Sequence, residues 1–525
     1  MHYHALAKDM SLDWRVCSRA RLARDARFDG KFFIAVLTTK IYCRPICPAR
    51  TCKESNVRYF LTAAAAAENG FRPCMRCRPE SSPGTAAWAG TRNTVSRALQ
   101  LIGESGLEGG GVERLAERLG VGARHLRRLF LRHLGATPSA VAHTRRLHFA
   151  KKLIDETRLP MGEVALAGGF GSVRRFNAGI QKVYHRTPTQ LRRLARRPAV
   201  QPENHYSFHL NFRPPYNWPR LLEFLAARAT PGVEAVERGC YRRTISLQGH
   251  EGYVEVRFDE PRNAVTVRVR FGDTRSLFSI IERIRAMFDL NADWAAIAKT
   301  LGADAALAGR LKAEEGIRVP GCWNGFELAV RAILGQQESV AAATTLAERF
   351  VKQFGKPFAC SPGLTHHFPA PEILDGADLA GMGMPRARAE TIHALARAVC
   401  AGQIRFDGVV NFDDFRARLC EIPGIGKWTT QYVAMRALRD PDAFPAGDLV
   451  FCRTLRDCTA GELERRSEAW RPWRAYAAML LWQGRSETVG PQLVARASRV
   501  ARRETGRPPR AAQARTSGGE QHAEA

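Results

Sequence analysis

The chain has 525 residues, enough for three or four domains with cores of their own. It carries 80 Lys+Arg against 51 Asp+Glu, a formal net charge of +29, and the first 200 residues hold 36 basic against 14 acidic side chains. Most of the excess is therefore N-terminal, which points to nucleic acid. No stretch reaches the length of an apolar membrane span, and Met1 to Cys17 has no signal-peptide core. Thirteen cysteines, mostly scattered, suit a reducing cytoplasm better than a disulfide framework.

Taken in order, the first chemistry is a pair of pairs: Cys43 and Cys47, then Cys74 and Cys77. Each short spacing lets two sulfurs reach one tetrahedral ion, so the set predicts one Zn2+ per chain. On spacing alone this is a structural knuckle. Ser81 to Gly90 reads as a linker, and a helical region follows over residues 94–195. Within it Val112–Leu119 is an amphipathic helix ended by Gly120, and Ala123–Phe130 is a second, basic one. The plan recurs at Met161–Phe170 and Ser172–Asn177, giving two helix-turn-helix units. Arg124, Arg127 and Arg128, then Arg174 and Arg175, are the outward residues of the second helices and the candidate DNA contacts.

A second linker spans Arg196 to Glu203, and strand-like alternation follows in Tyr253–Phe258 and Val265–Phe271. With flanking helices near 218–228 and 277–288 this predicts an α+β domain at 206–318. The remainder to about residue 495 reads as helical. Its sharpest feature is Ile422-Pro423-Gly424-Ile425-Gly426-Lys427-Trp428 between two amphipathic helices. The glycines permit a tight hairpin whose N–H groups face phosphates, though an ordinary helix connection reads the same way. Asp448 lies downstream, before Leu449 and Val450, where a lone aspartate is ordinarily a helix N-cap. Residues 502–525 read as a disordered tail.

Three resemblances sharpen these readings. Thr38–Cys47 and Gly70–Glu80 closely resemble the N-terminal zinc domain of the Ada methylated-DNA response family, over about the first 80 residues. This implies a small α+β zinc module at 1–85 with Cys43 as acceptor of a methyl group from a phosphotriester, and Thr39, Arg50, Arg72 and Arg76 as phosphate contacts. The double helix-turn-helix, closed by His185-Arg186-Thr187-Pro188, resembles the AraC-type DNA-binding domain. From Asn211 to Trp482 the chain resembles the 3-methyladenine glycosylase II branch of the helix-hairpin-helix DNA glycosylases, with an all-α domain at 319–495. That likeness implies Asp448 as the catalytic carboxylate and Phe224, Trp428, Tyr432 and Trp482 as walls of a base pocket. It also implies DNA contacts at Gly424, Gly426, Lys427 and Gln337, the last standing where the family inserts a leucine wedge. Leu449 stands where the family has a pocket aromatic.

No Pro-Cys-His-Arg run is present, so a second methyltransferase site is not expected. The expected protein is a cytoplasmic monomer acting on double-stranded DNA and working with RNA polymerase, with no membrane partner. It excises alkylated bases such as 3-methyladenine, accepts a methyl group on Cys43, and regulates transcription when methylated. The alternative is a sequence-specific regulator whose glycosylase portion is inactive.

Overall fold

The computed structural model describes residues 13–83, 94–105, 107, 110–195, 202–408, 411–455 and 458–482. Of the linkers expected at 81–90 and 196–203, residues 84–90 and 196–201 lie outside the described residues, as does the tail from residue 502.

The first module opens with α1 (Trp14–Leu22) and continues through β1 (Phe33–Val36), β2 (Ile41–Cys43), β3 (Val57–Phe60), α2 (Ala63–Glu68) and β4 (Arg72–Pro73). The strands form one sheet in the order β3-β1-β2-β4. The β2–β4 pair is parallel, with Ile41 opposite Arg72 and Tyr42 opposite Pro73, and the Cys74 N–H donates to the Tyr42 carbonyl at 2.9 Å. This register carries both chain segments off the sheet side by side. It is what delivers the two cysteine pairs to one place.

The helical region contains α3 (Thr94–Ser105), α4 (Gly111–Arg118), α5 (Ala123–Leu134), α6 (Pro138–Glu156), α7 (Met161–Ala167), α8 (Val173–Tyr184) and α9 (Pro188–Leu194). In α5 the buried residues are Leu126, Phe130 and Leu134; in α8 they are Phe176, Ile180 and Tyr184. The same i, i+4, i+8 stripe thus faces inward in both units and leaves the arginine-rich faces outside. Thr137 and Ser172 cap α6 and α8, and Thr187 with Gln190 makes a capping box on α9. Helix α6 joins the two units. Its buried Lys151 and Lys152 are paired with Asp155 and Glu156 four residues on, as burial of an ammonium group demands.

The next module is a five-stranded antiparallel sheet in the order β5-β9-β8-β7-β6, from β5 (His205–Asn211), β6 (Glu234–Glu237), β7 (Cys240–Leu247), β8 (His250–Asp259) and β9 (Ala264–Phe271). The two alternating segments Tyr253–Phe258 and Val265–Phe271 pair as a β8–β9 hairpin, joined by a 3-10 turn at Glu260–Arg262. Against the sheet lie α10 (Trp218–Ala227) and α11 (Leu277–Met287), with Trp218 stacked on Phe258 and on Phe288 at 5.5 Å each. The core of this sheet is continuous with that of the second helix-turn-helix unit, while the first unit shares a core with α2 of the cysteine module.

The last module contains α12 (Trp294–Leu301), α13 (Ala305–Ala313), α14 (Gly325–Leu334), α15 (Val340–Phe354), α16 (Pro371–Asp375), α17 (Arg386–Cys400), α18 (Phe412–Glu421), α19 (Lys427–Arg436), α20 (Leu449–Thr454), α21 (Ala460–Ser467) and α22 (Arg474–Trp482). It is not wholly helical, as the sequence reading had it. A hairpin of β10 (Lys356–Ser361) and β11 (Leu364–His367) turns at Pro362-Gly363, where Gly363 has φ +80°. Its backbone bonds to the sheet module, the Thr365 N–H to the Gly232 carbonyl at 2.7 Å. Among the described residues no helix is long and apolar enough to cross a membrane.

Candidate functional site

The Sγ atoms of Cys43, Cys47, Cys74 and Cys77 all lie within 4.8 Å of one another, with Cys47 and Cys74 at 4.0 Å. Four thiolates 2.3 Å from a central ion stand about 3.8 Å apart, so the cluster has the size of a tetrahedral zinc site. The chemistry of the set agrees. Mutual thiol contacts push Cys43 and Cys77 up, Cys47 down to about 7 and Cys74 further down. Sulfurs this close do not all ionise unless a cation sits among them.

Arg44, between the first two cysteines, is 5% exposed. Its guanidinium holds the buried Asp29 carboxylate, donates to the Cys77 carbonyl at 3.1 Å, and its backbone N–H points at the Cys77 sulfur at 3.3 Å. Thr39, Arg50 and Arg76 are exposed, Arg72 is half-buried, and Cys43 is partly open. Arg124, Arg127, Arg128, Arg174 and Arg175 are all exposed, with Arg127 in a surface ion pair with Glu113 at 2.6 Å.

In the last module α18, the turn and α19 form the hairpin. Gly424 has φ +89°, and a Cβ there would stand 2.0 Å from the Thr391 Oγ1, so both backbone and space require glycine. The Gln336 amide donates to the Gly424 carbonyl at 2.9 Å, and Arg388 holds the Gln336 carbonyl and the Glu338 carboxylate. Between those anchors Gln337 is exposed with φ +60°. Gln336 ties this tip to the hairpin, and Arg388 of α17 holds it on the other side.

Lys427 opens α19 exposed, whereas Trp428 turns inward. Asp448 caps α20, its Oδ1 accepting the Val450 N–H at 2.9 Å. Its Oδ2 accepts the indole N–H of Trp428 at 3.0 Å and of Trp482 at 3.1 Å. The carboxylate that caps α20 thus also holds two indoles, and it is 9% exposed. Tyr432 stacks on Trp428 with ring centres 5.2 Å apart and meets Trp482 edge-on at 6.2 Å. Leu449, where the family has an aromatic, is half exposed. Phe224 joins from α10 and is 7% exposed, its ring covered by the guanidinium groups of Arg228 at 3.9 Å and Arg436 at 5.0 Å.

The sequence reading missed those arginines. Arg436 donates to the Pro320 and Gly321 carbonyls and to the Tyr432 hydroxyl at 2.6 Å. Burial pushes the Tyr432 phenol up, but Arg436, Arg228 and Arg331 together hold it below its ordinary value. The available signal was an arginine four residues after each aromatic, Phe224–Arg228 and Tyr432–Arg436, which places the pair on one helix face.

Four family profiles match in succession: the metal binding domain of Ada over residues 16–80, a helix-turn-helix domain over 115–194, the AlkA N-terminal domain over 207–324, and the HhH-GPD superfamily base excision DNA repair protein over 330–473. Fold and sites thus define a class, multidomain DNA-repair proteins that join a zinc module and a helix-turn-helix domain to a glycosylase fold. A probable bifunctional transcriptional activator/DNA repair enzyme AlkA of Mycobacterium tuberculosis (strain H37Rv) is 41% identical over 478 residues, 90% of this chain and 96% of that protein. The chain belongs to this family of bifunctional activator/repair proteins. DNA-3-methyladenine glycosylase 2 of Escherichia coli K12 is 33% identical over 278 residues, 52% of this chain and 96% of its own length. The bifunctional transcriptional activator/DNA repair enzyme Ada of the same organism is 39% identical over 119 residues, 23% of this chain and 32% of its own. A solved 3-methyladenine DNA-glycosylase from Archaeoglobus fulgidus matches at 23% identity and a TM-score of 0.46, covering 52% of this chain and 96% of that one.

Proposed function

We propose that the protein excises alkylated bases such as 3-methyladenine from double-stranded DNA by hydrolysing the N-glycosidic bond. In the same chain it takes a methyl group from DNA methylphosphotriesters onto Cys43 and regulates transcription when methylated. The observation that carries the first part is the Asp448 carboxylate held by two indole N–H groups beside an aromatic wall and the glycine hairpin that opens α19. Extrusion of a nucleotide brings its sugar to such a pocket. As the C1′–N bond breaks, positive charge grows on the sugar, and a fixed carboxylate stabilises that charge and orients the attacking water. Trp428, Tyr432 and Trp482 offer aromatic faces to the base. Gly424, Gly426 and Lys427 grip the phosphates on one side, and Gln337 fills the gap left in the duplex. Loss of free 3-methyladenine release in Asp448→Asn, with DNA binding kept, tests this. Release by the variant at the parent rate would sink it. A wild-type chain that binds operator DNA and releases no base would favour the pure regulator instead.

At the other end, zinc when bound keeps the four thiols deprotonated and sharpens the sulfur nucleophile. The Cys43 sulfur attacks the methyl carbon, the carbon–oxygen bond breaks, and the electron pair stays on the phosphate oxygen as a diester anion. Thr39, Arg50, Arg72 and Arg76 hold the phosphate. The transfer is stoichiometric, and it reduces the negative charge of the cluster by one. Operator DNA bound by Arg124, Arg127, Arg128, Arg174 and Arg175 is then repelled less. In this reading the protein works as a monomer with RNA polymerase. Mass spectrometry locating the transferred methyl on Cys43, and on no other cysteine, is the check.

A further inference from the structure

Asp29 stands where the cysteine module meets the rest of the chain. Its carboxylate is held by Arg44, whose backbone N–H points at the Cys77 sulfur and whose guanidinium donates to the Cys77 carbonyl. Both residues are buried, an ion pair that keeps its place only while the cysteine loops stay closed. On its other side the Asp29 carbonyl accepts the Nε–H of Arg213 at 2.8 Å. Arg213 belongs to the sheet module, is buried in turn, and donates to the Asn291 carbonyl at 2.5 Å. Burial pushes its guanidinium down to about 10, with Asp293 and Asp29 opposing. Gly30 has φ +72°, and a Cβ there would stand 2.3 Å from the Pro83 carbonyl oxygen and 3.3 Å from the Arg213 guanidinium. The two modules interlock here too closely to admit a side chain.

Residues 289–293 lie between this junction and the glycosylase core. Lys31 pairs with the Asp293 carboxylate at 2.6 Å, and Asp293 caps α12, whose Trp294, Ile297 and Leu301 are buried in that core. At the other end of the segment Asp289 accepts the Tyr476 hydroxyl at 2.7 Å. Tyr476 is on α22, the helix that ends at Trp482, whose indole holds the Asp448 Oδ2. Contacts therefore run from the cysteine cluster to that carboxylate through Arg44, Asp29, Arg213, residues 289–293 and α22. When no ion closes the cluster, the loop that carries Arg44 is no longer fixed, and Arg213 keeps a buried donor whose acceptor has moved.

We infer that the cysteine module is a working part of the glycosylase. Through Arg213 and Lys31, the metal-filled cluster holds residues 289–293 in place, and with them α22 and the Trp482 indole on Asp448. Base excision then depends on a metal site in another module, and Arg213 and Lys31 are positioning residues for it. This dependence rests on the excision proposed at Asp448.

The test compares the full zinc-loaded chain, the same chain after exhaustive chelation, and Arg213→Met shown by metal analysis to keep its zinc. Each is read twice, by single-turnover release of 3-methyladenine from methylated DNA and by calorimetric unfolding. Chelation is expected to slow release by about threefold to thirtyfold, the range of couplings carried through packed networks. It should also lower the unfolding temperature of the glycosylase core. Arg213→Met should match the chelated protein, and chelating the variant should add little, because losses through one shared junction are not additive. Arg213→Lys, which keeps a charge and a donor, should fall between. If Arg213→Met does not fold, Lys31→Ala, which removes a partly exposed side chain, is read in the same way. Additive losses would overturn the inference. So would a chelated chain that keeps both its release rate and the unfolding temperature of its core. A zinc-loaded chain that releases no base fails the excision reading instead, and the calorimetry still decides whether the cluster supports the core.

Discussion

At the scale of single residues, one-position differences decide chemistry. A lysine that forms a Schiff base with the sugar must face the pocket, and Lys427 stands one residue ahead of Trp428, the residue proposed to line it. One residue on a helix turns a side chain by about 100°. Lys427 accordingly opens α19 in solvent while the Trp428 indole meets Asp448. The protein should therefore cut only the base–sugar bond: borohydride should trap no covalent complex on abasic or lesion DNA, and an adduct lost in Lys427→Ala would contradict this. Gly424 is equally constrained. Gly424→Ala puts a Cβ against Thr391 at a positive φ, a cost of about 1–3 kcal/mol at the hairpin. Thermal unfolding should register the loss, and lesion-DNA affinity should fall with it.

At the scale of elements, the β2–β4 register is the device that makes the metal site, because Cys43 ends β2 and Cys74 follows β4 directly. Zinc closes what the short strands begin, and structural zinc contributes on the order of 10 kcal/mol to such small folds. Cys47→Ala should lose the metal and unfold residues 13–83, which zinc analysis and near-UV circular dichroism would detect; full occupancy in the variant would remove the assignment. The matching stripes of α5 and α8 are each anchored by a fully buried phenylalanine, Phe130 and Phe176. Phe176→Ala should destabilise by about 3–5 kcal/mol through lost burial and the cavity left.

At the scale of the whole molecule, the described residues pack as one unit. Arg213 of the sheet module is 1% exposed and donates to the Asp29 carbonyl of the cysteine module at 2.8 Å and to Asn291 at 2.5 Å. Lys31 pairs with Asp293 at 2.6 Å, and Arg78 reaches Asp155 on α6 at 2.7 Å. Tyr42 and His148 share a hydrogen bond at 3.0 Å across the same junction. Burial pushes the His148 imidazole down to about 4, with Glu80 opposing and Lys151 adding to the effect. Because the folded state holds this histidine neutral, its stabilisation is complete above pH 6.5 and is lost as pH falls from there towards 4. The loss is about 2–3 kcal/mol over that window. Unfolding midpoints of wild type and His148→Gln should therefore diverge between pH 7 and pH 5, the variant falling less steeply. Parallel curves would refute the assignment.

What the sequence determined by itself follows from short-range geometry. The cysteine spacings, the repeated helix-turn-helix, the β8–β9 hairpin and the Pro-Gly-Ile-Gly turn each depend on residues a few positions apart, so local periodicity and turn chemistry expose them. Asp448 was visible as a cap for the same reason. Tertiary structure alone decided the rest. The two indoles on the Asp448 Oδ2 come from α19 and α22, 20 and 34 residues away. Arg228 reaches Tyr432 from another module, and the β10–β11 hairpin pairs its backbone with Gly232. The shared core of the sheet and the second helix-turn-helix unit left no periodic mark either, since each side reads as an ordinary amphipathic face. A buried charge, a cation over a ring or an interlocked carbonyl is a relation between distant segments, and its energy exists only once folding has removed water from between them.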